Sequence, residues 1–147
     1  IQIDGVTFSD NTSSYAGGAL SVHFSSDVTV TNSTFDTNES TRGGAVDLTS
    51  YAGVTVSDSS FVANDGLWGG AFYLEGESDL ILSQAVVSDI IGSIHGAGLY
   101  LETSTCQVSE TTFSGNTDDE DTWVEDVEQS YTWAKSTDFS CDEEGCE

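Results

Sequence analysis

One aromatic position recurs along this chain at an almost constant interval. It is filled by Phe8, Phe35, Phe61, Val87, Phe113 and Phe139, at spacings of 27, 26, 26, 26 and 26 residues. Periodicity of this length, held over a whole chain, signals a solenoid. A single unit is too small to bury its own apolar face, so it must stack on its copies.

The columns around that anchor give the local structure. Seven residues before it stand Ile1, Val28, Val54, Leu80, Cys106 and Thr132, and five before it Ile3, Val30, Val56, Leu82, Val108 and Ala134. The residues between these columns are mostly polar, and alternation of period two means a strand with one face inward. A second alternating run directs Leu20/Val22, Val46/Leu48, Phe72/Leu74 and Leu99/Leu101 inward, and Ser21, Asp47, Tyr73 and Tyr100 outward. Each unit therefore supplies two clear strands and a short third around the anchor. The expected fold is all-β, a parallel β-helix (solenoid) of about five coils with 26–27 residues each. Residues 1–139 would form the repeats and residues 140–147 an acidic, Cys-containing end.

A polar column and a glycine corner fit such stacking. Phe8, Phe35, Phe61, Phe113 and Phe139 are paired with an Asn column at Asn11, Asn38, Asn64 and Asn116. Stacked Asn amides donate to and accept from one another along the axis and satisfy turn backbone. The glycine pairs 17–18, 43–44 and 69–70 mark a corner that a Cβ would oppose. The fourth unit loosens this to Gly96-Ala97-Gly98, and the fifth loses the glycines and reads TDDEDTWVEDVEQ.

Charge narrows the partners. With 26 acidic residues against two basic ones, the formal net charge is −24. Such a field repels nucleic acid and anionic membrane surfaces. No run of about 18 apolar residues exists, so no direct membrane insertion is expected. The chain opens on IQIDGVTF, inside a repeat and without Met, and reads as a piece of something longer. Of three cysteines, Cys141 and Cys146 are placed to close a short loop as a disulfide, leaving Cys106 buried or paired elsewhere. That usage suits an oxidising, extracellular setting.

Few residues offer chemistry. A polysaccharide lyase needs an Arg or Lys base beside carboxylates that hold calcium. Only Arg42 and Lys135 are available, far apart in the chain. A hydrolase needs paired carboxylates, whereas the column neighbours of Asp47 are Ser21 and Tyr73. His23 and His95 fall in different columns, which disfavours a metal pair and leaves solvated loop histidines. No catalytic residue and no organic cofactor are expected. Calcium is the candidate ion, with Asp118, Asp119, Glu120 and Asp121 as weak ligands. The outward column Gln2, Thr29, Thr55, Ile81, Gln107 and Trp133 is too irregular for an ice-binding threonine array. Sequons begin at Asn11, Asn32 and Asn38, and Asn32 alone stands outside the Asn ladder. Tyr73 and Tyr100, adjacent in one outward column, are the candidate binding face for a sugar or a protein.

The motifs FSDN, FDTN, FVAN and FSGN, with GGAL, GGAV and GGAF, resemble the repeats of the polymorphic outer membrane proteins. The likeness covers residues 1 to about 116. It implies a right-handed β-helix of the pectin-lyase-like kind, displayed at a surface for adhesion or as a stalk. The expected function is a non-enzymatic extracellular structural or adhesive module, or a building block of a surface filament. Its partners would be copies stacked end to end, or cell-surface carbohydrate. The alternative is a polysaccharide-binding or polysaccharide-degrading β-helix.

Overall fold

The computed structural model describes residues 1–118, 139–142 and 145–146, the last two stretches through their backbone. The strands stack into four parallel sheets, visited in turn by each coil. Sheet 1 stacks Gln2–Asp4, Asp27–Thr31, Gly53–Ser57, Asp79–Ser83 and Thr105–Ser109. Sheet 2 carries the anchors on Thr7–Ser9, Thr34–Asp36, Ser60–Val62, Val86–Ser88 and Thr111–Ser114. Sheet 3 is built from Glu39–Arg42, Asp65–Trp68, Ile91–His95 and Thr117–Asp118. Sheet 4 holds Leu20–His23, Val46–Thr49, Phe72–Glu75 and Leu99–Glu102. The result is a β-solenoid of about four turns among the described residues. The expected fifth coil falls largely on residues outside them.

Sheet 3 is a strand per coil more than the sequence pattern suggested. Its members, such as ESTR and DGLW, lack apolar alternation, because a short polar strand is held by pairing with its copies rather than by a buried stripe. The first coil has six steps from Asn11 to Gly17 where the second has five from Asn38 to Gly43. The extra residue breaks the pairing into two isolated bridges, Thr12 with Glu39 and Ala16 with Arg42. In the fourth coil a similar insertion makes an irregularity, so that Gly66 faces Gly92 but Trp68 faces His95.

Inside, the anchors align as the register dictates: Phe8, Phe35, Phe61, Val87 and Phe113 are successive partners. Phe8 stacks on Phe35 at 4.8 Å and Phe35 on Phe61 at 4.6 Å, both nearly parallel. Phe72 from sheet 4 lies 4.4 Å from Phe61. Val28, Val54, Leu80 and Cys106 form a second buried row.

Polar ladders hold three of the corners. Asn11 Nδ2 donates to Asn38 Oδ1 at 2.8 Å, and Asn38 Nδ2 to Asn64 Oδ1 at 2.9 Å. Asn38 Nδ2 also donates to the Phe8 carbonyl, as Asn64 does to Phe35 and Asn116 to Val87. Ile90 interrupts the column, yet its amide still donates to Asn116 Oδ1. Ser33, Ser59 and Thr111 accept backbone amides from the coil before at the corner between sheets 1 and 2. Ser78 and Ser104 do so between sheets 4 and 1. The fourth corner is the glycine pair: Gly43 has φ +58°, and a methyl group on Gly44 would overlap the Gly70 carbonyl oxygen.

In sheet 2 the parallel stacking ends at Thr111–Ser114. Strand Phe139–Asp142 pairs with it antiparallel, placing Phe139 opposite Phe113, and Gly145–Cys146 folds back on that strand. Phe139 is thus a register partner of the anchor column, but its strand runs against it, which corrects its place as one more parallel rung. The strand also crosses the boundary expected at 139/140. Its unit lacks the glycine corner on which the parallel turn depends.

Candidate functional site: the outer face of sheet 4

The glycine corner turns the chain sharply from sheet 3 into sheet 4. Side chains leaving the end of sheet 3 therefore meet those on the outer face of sheet 4. Register aligns two outward columns there: Ser21, Asp47, Tyr73 and Tyr100, and beside them His23, Thr49, Glu75 and Glu102. Arg42, the last residue of its sheet 3 strand, reaches over both.

Arg42 organises the cluster. Its Nη1 donates to Glu75 Oε2 at 3.0 Å, and its Nε lies 3.6 Å from Asp47 Oδ1. The guanidinium is also sandwiched, 4.6 Å from the Tyr15 ring centroid and 4.8 Å from that of Tyr73. Tyr73 in turn stacks on Tyr100, centroids 5.0 Å apart and planes within 2°. A column of ring, cation, ring and ring thus runs along the axis over four coils, held by cation–π attraction and offset stacking.

Asp47 is the buried charge of the site, with no exposed side-chain surface. Its Oδ2 accepts from Ser21 Oγ at 3.2 Å and lies 3.8 Å from His23 Nε2. Burial raises its pKa, and the opposing pull of Arg42 does not overcome that. For Arg42, burial acts against the charge, but Asp47, Tyr73, Tyr15 and Glu75 outweigh it and the pKa is raised. Burial, helped by Glu75, raises the Tyr73 phenol as well. His23 is held at both ring nitrogens, by Ser21 Oγ and by Thr49 Oγ1.

Several expectations change here. Tyr73 is 6% exposed, with Arg42 over one face and Tyr100 on the other, so its ring offers no free face to a sugar. Tyr100 is half-buried. Outward alternation on a strand was a sound reading of direction but not of exposure, because the neighbouring sheet covers this face. His23 and His95 lie on strands, not loops. Asp47 does gain a carboxylate companion, Glu75, through Arg42 rather than through its own column. Tyr15, Thr49 and Glu75 were missed, and His23 was set aside as a loop histidine. For His23, Thr49 and Glu75 the available signal was the second outward column, polar in every coil.

The remaining candidates are dispersed. Asn38 is fully buried and both its amide hydrogens are donated, so a glycan there is incompatible with the ladder. Asn32 is exposed on the opposite flank, and Asn11 lies in the ladder at the first coil. Cys106 is buried with a free thiol whose pKa burial pushes up to about 12. The calcium candidates Asp119, Glu120 and Asp121, and the side chains of Asp118, Cys141 and Cys146, lie outside the described residues. So does Lys135. Among the described residues no group of three or more His, Cys, Asp or Glu is placed to hold a metal ion.

Neither a curated protein nor a solved structure matches the chain. The family model for the right-handed β-helix region matches residues 1–127. The covered span includes every coil described above, and the chain belongs to the right-handed β-helix family.

Proposed function

We propose that this chain is a non-enzymatic extracellular β-helix module that acts as a structural stalk or adhesive segment. The observation that carries this reading is the state of Arg42. A lyase base must approach a substrate proton and give up its own. Arg42 is instead paired with Asp47 and Glu75, enclosed by two rings, and raised in pKa. The likeness of the F-x-x-N and G-G-A motifs to polymorphic outer membrane protein repeats supports surface display. The antiparallel strand Phe139–Asp142 occupies the sheet 2 edge that a further parallel coil would need. That favours a discrete rod over a filament grown by coil addition at this end.

The test pairs an activity assay with imaging. Native protein and Arg42→Ala are incubated with uronate and neutral polysaccharides, with calcium, and new chain ends are counted. Equal, background-level release from both supports the module. Release above background by the native chain overturns it. Electron microscopy should show short rods, with or without a chelator.

A second reading rests on the convergence of Asp47, Glu75, Arg42 and His23 on one face. The exposed edges of Glu75 and His23 suit hydroxyl-rich ligands, so polysaccharide binding without cleavage is its form. Retardation of the chain in gels containing neutral polysaccharide, relieved by Glu75→Gln, would favour it.

A further inference from the structure

We infer that Asn32 carries an N-linked glycan whose first sugar lies in the shallow groove beside it. The inference rests on the extracellular reading above. Asn32, Ser33 and Thr34 form a sequon at the corner between sheets 1 and 2. Asn32 is exposed and has φ +49°, a left-handed turn position that Asn tolerates. Asp58, Gln84 and Glu110 repeat that conformation in the coils that follow.

The partners of the amide hydrogens separate the three sequons. Asn38 donates both of its hydrogens, to Asn64 Oδ1 and to the Phe8 carbonyl, deep in the core. Asn11 donates into the same ladder. Asn32 donates one hydrogen, to the exposed carboxylate of Asp4 at 2.9 Å. A glycosylated amide keeps one N–H, which leaves Asn32 a donor for Asp4.

The groove, about 380 Å³, runs along the axis from Asn32 past Ser60 and Asp58 to Gln84 and Val86. Asp58 and Gln84 present polar ends to sugar hydroxyls, and the exposed Val86 offers an apolar patch to a sugar C–H face. The donor is a polyprenyl-diphosphate-linked oligosaccharide. The Asn32 Nδ2–C1 bond forms, the C1–O bond to diphosphate breaks, the amide proton is lost to a base, and polyprenyl diphosphate leaves.

Chain recovered from its native cell surface is treated with a glycan-releasing amidase in heavy-oxygen water, which marks each formerly glycosylated Asn as Asp. Glu-specific digestion suits a chain with two basic residues. The expected result is a mark at Asn32, none at Asn38, and loss of the Asn32 mark in Thr34→Val. Slower amide exchange at residues 58–60 and 84–86 before amidase treatment than after is expected from the seated sugar. Surface chain unmarked at Asn32, or marked at Asn38, overturns the site, and unchanged exchange overturns the seat. Chain found only inside cells, and unmarked, sinks the extracellular reading and this inference with it.

Discussion

The guanidinium of Arg42 lies 4.8 Å from the centre of the Tyr73 ring, and the two residues come from different sheets of successive coils. That contact ties the end of sheet 3 to the outer face of sheet 4. The glycine corner alone would leave the two faces merely adjacent. Because Arg42 also neutralises Asp47, one side chain joins the aromatic column to the buried charge.

Arg42→Ala should therefore destabilise the chain well beyond a surface substitution. Removing one partner of a buried pair leaves the other charge uncompensated, at a cost of about 3 kcal/mol. Arg42→Lys should fall between the two, since an ammonium keeps the charge but not the planar stacking. Urea midpoints of the three proteins check the order.

The raised pKa of Asp47 gives a pH dependence with a definite sign. A carboxyl whose folded pKa exceeds its unfolded value of 3.8 favours the folded state below that value. Its contribution is lost as pH rises through the folded pKa. Asp47→Asn should flatten the fall in stability above pH 3.8, and Arg42→Ala should steepen it by removing the charge that opposes the shift. Unfolding free energies measured from acid to neutral pH would show an unchanged slope if Asp47 were not the responsible group.

Cys106 should be inert in the folded protein. With its thiol pushed up to about 12 and its side chain buried, almost no thiolate exists at neutral pH. Iodoacetamide labelling of Cys106 is expected to appear only after denaturation, followed by peptide mass analysis. Fast labelling of the native chain would contradict this burial.

The Asn ladder predicts an asymmetry between its rungs. Asn38→Ala removes the side-chain donor to the Phe8 carbonyl and to Asn64 Oδ1 and the acceptor of both Asn11 amides, leaving Asn64 Oδ1 the Asn38 backbone N–H. The cost is roughly 3 kcal/mol. Ile90→Ala at the interrupted rung loses only packing, at about 2 kcal/mol. Calorimetric midpoints should show the Asn substitution as the more damaging, and the reverse order would remove the ladder as a source of stability.

Gly44→Ala should fail more severely than either. Its methyl group would meet backbone, the carbonyl of Gly70 in the next coil, and backbone on a ladder cannot step aside. Loss of soluble folded protein, read by circular dichroism, is expected. Gly5→Ala is the control, since a methyl there meets nothing within 4 Å and strain is confined to its own φ of +64°.

The coil repeat, the inward rows through Val54 and Phe35, and the Asn column were legible in residue order. Each depends on a spacing that recurs, and a period reports directly which residues must stack. The strand Glu39–Arg42 was not legible, because a polar strand pairs through backbone groups that every sequence carries. The direction of Phe139–Asp142 was equally hidden: the anchor spacing persists while the glycine turn that keeps strands parallel is gone. The same holds for the candidate site. Alternation told that Asp47 and Tyr73 point away from the core, but both are buried, with Arg42 arriving from sheet 3 beside them. Direction is a property of one strand and is written in its period. Exposure depends on what the rest of the chain lays over it, and that is decided by the angle at the glycine corner and the one-residue insertion before Gly17.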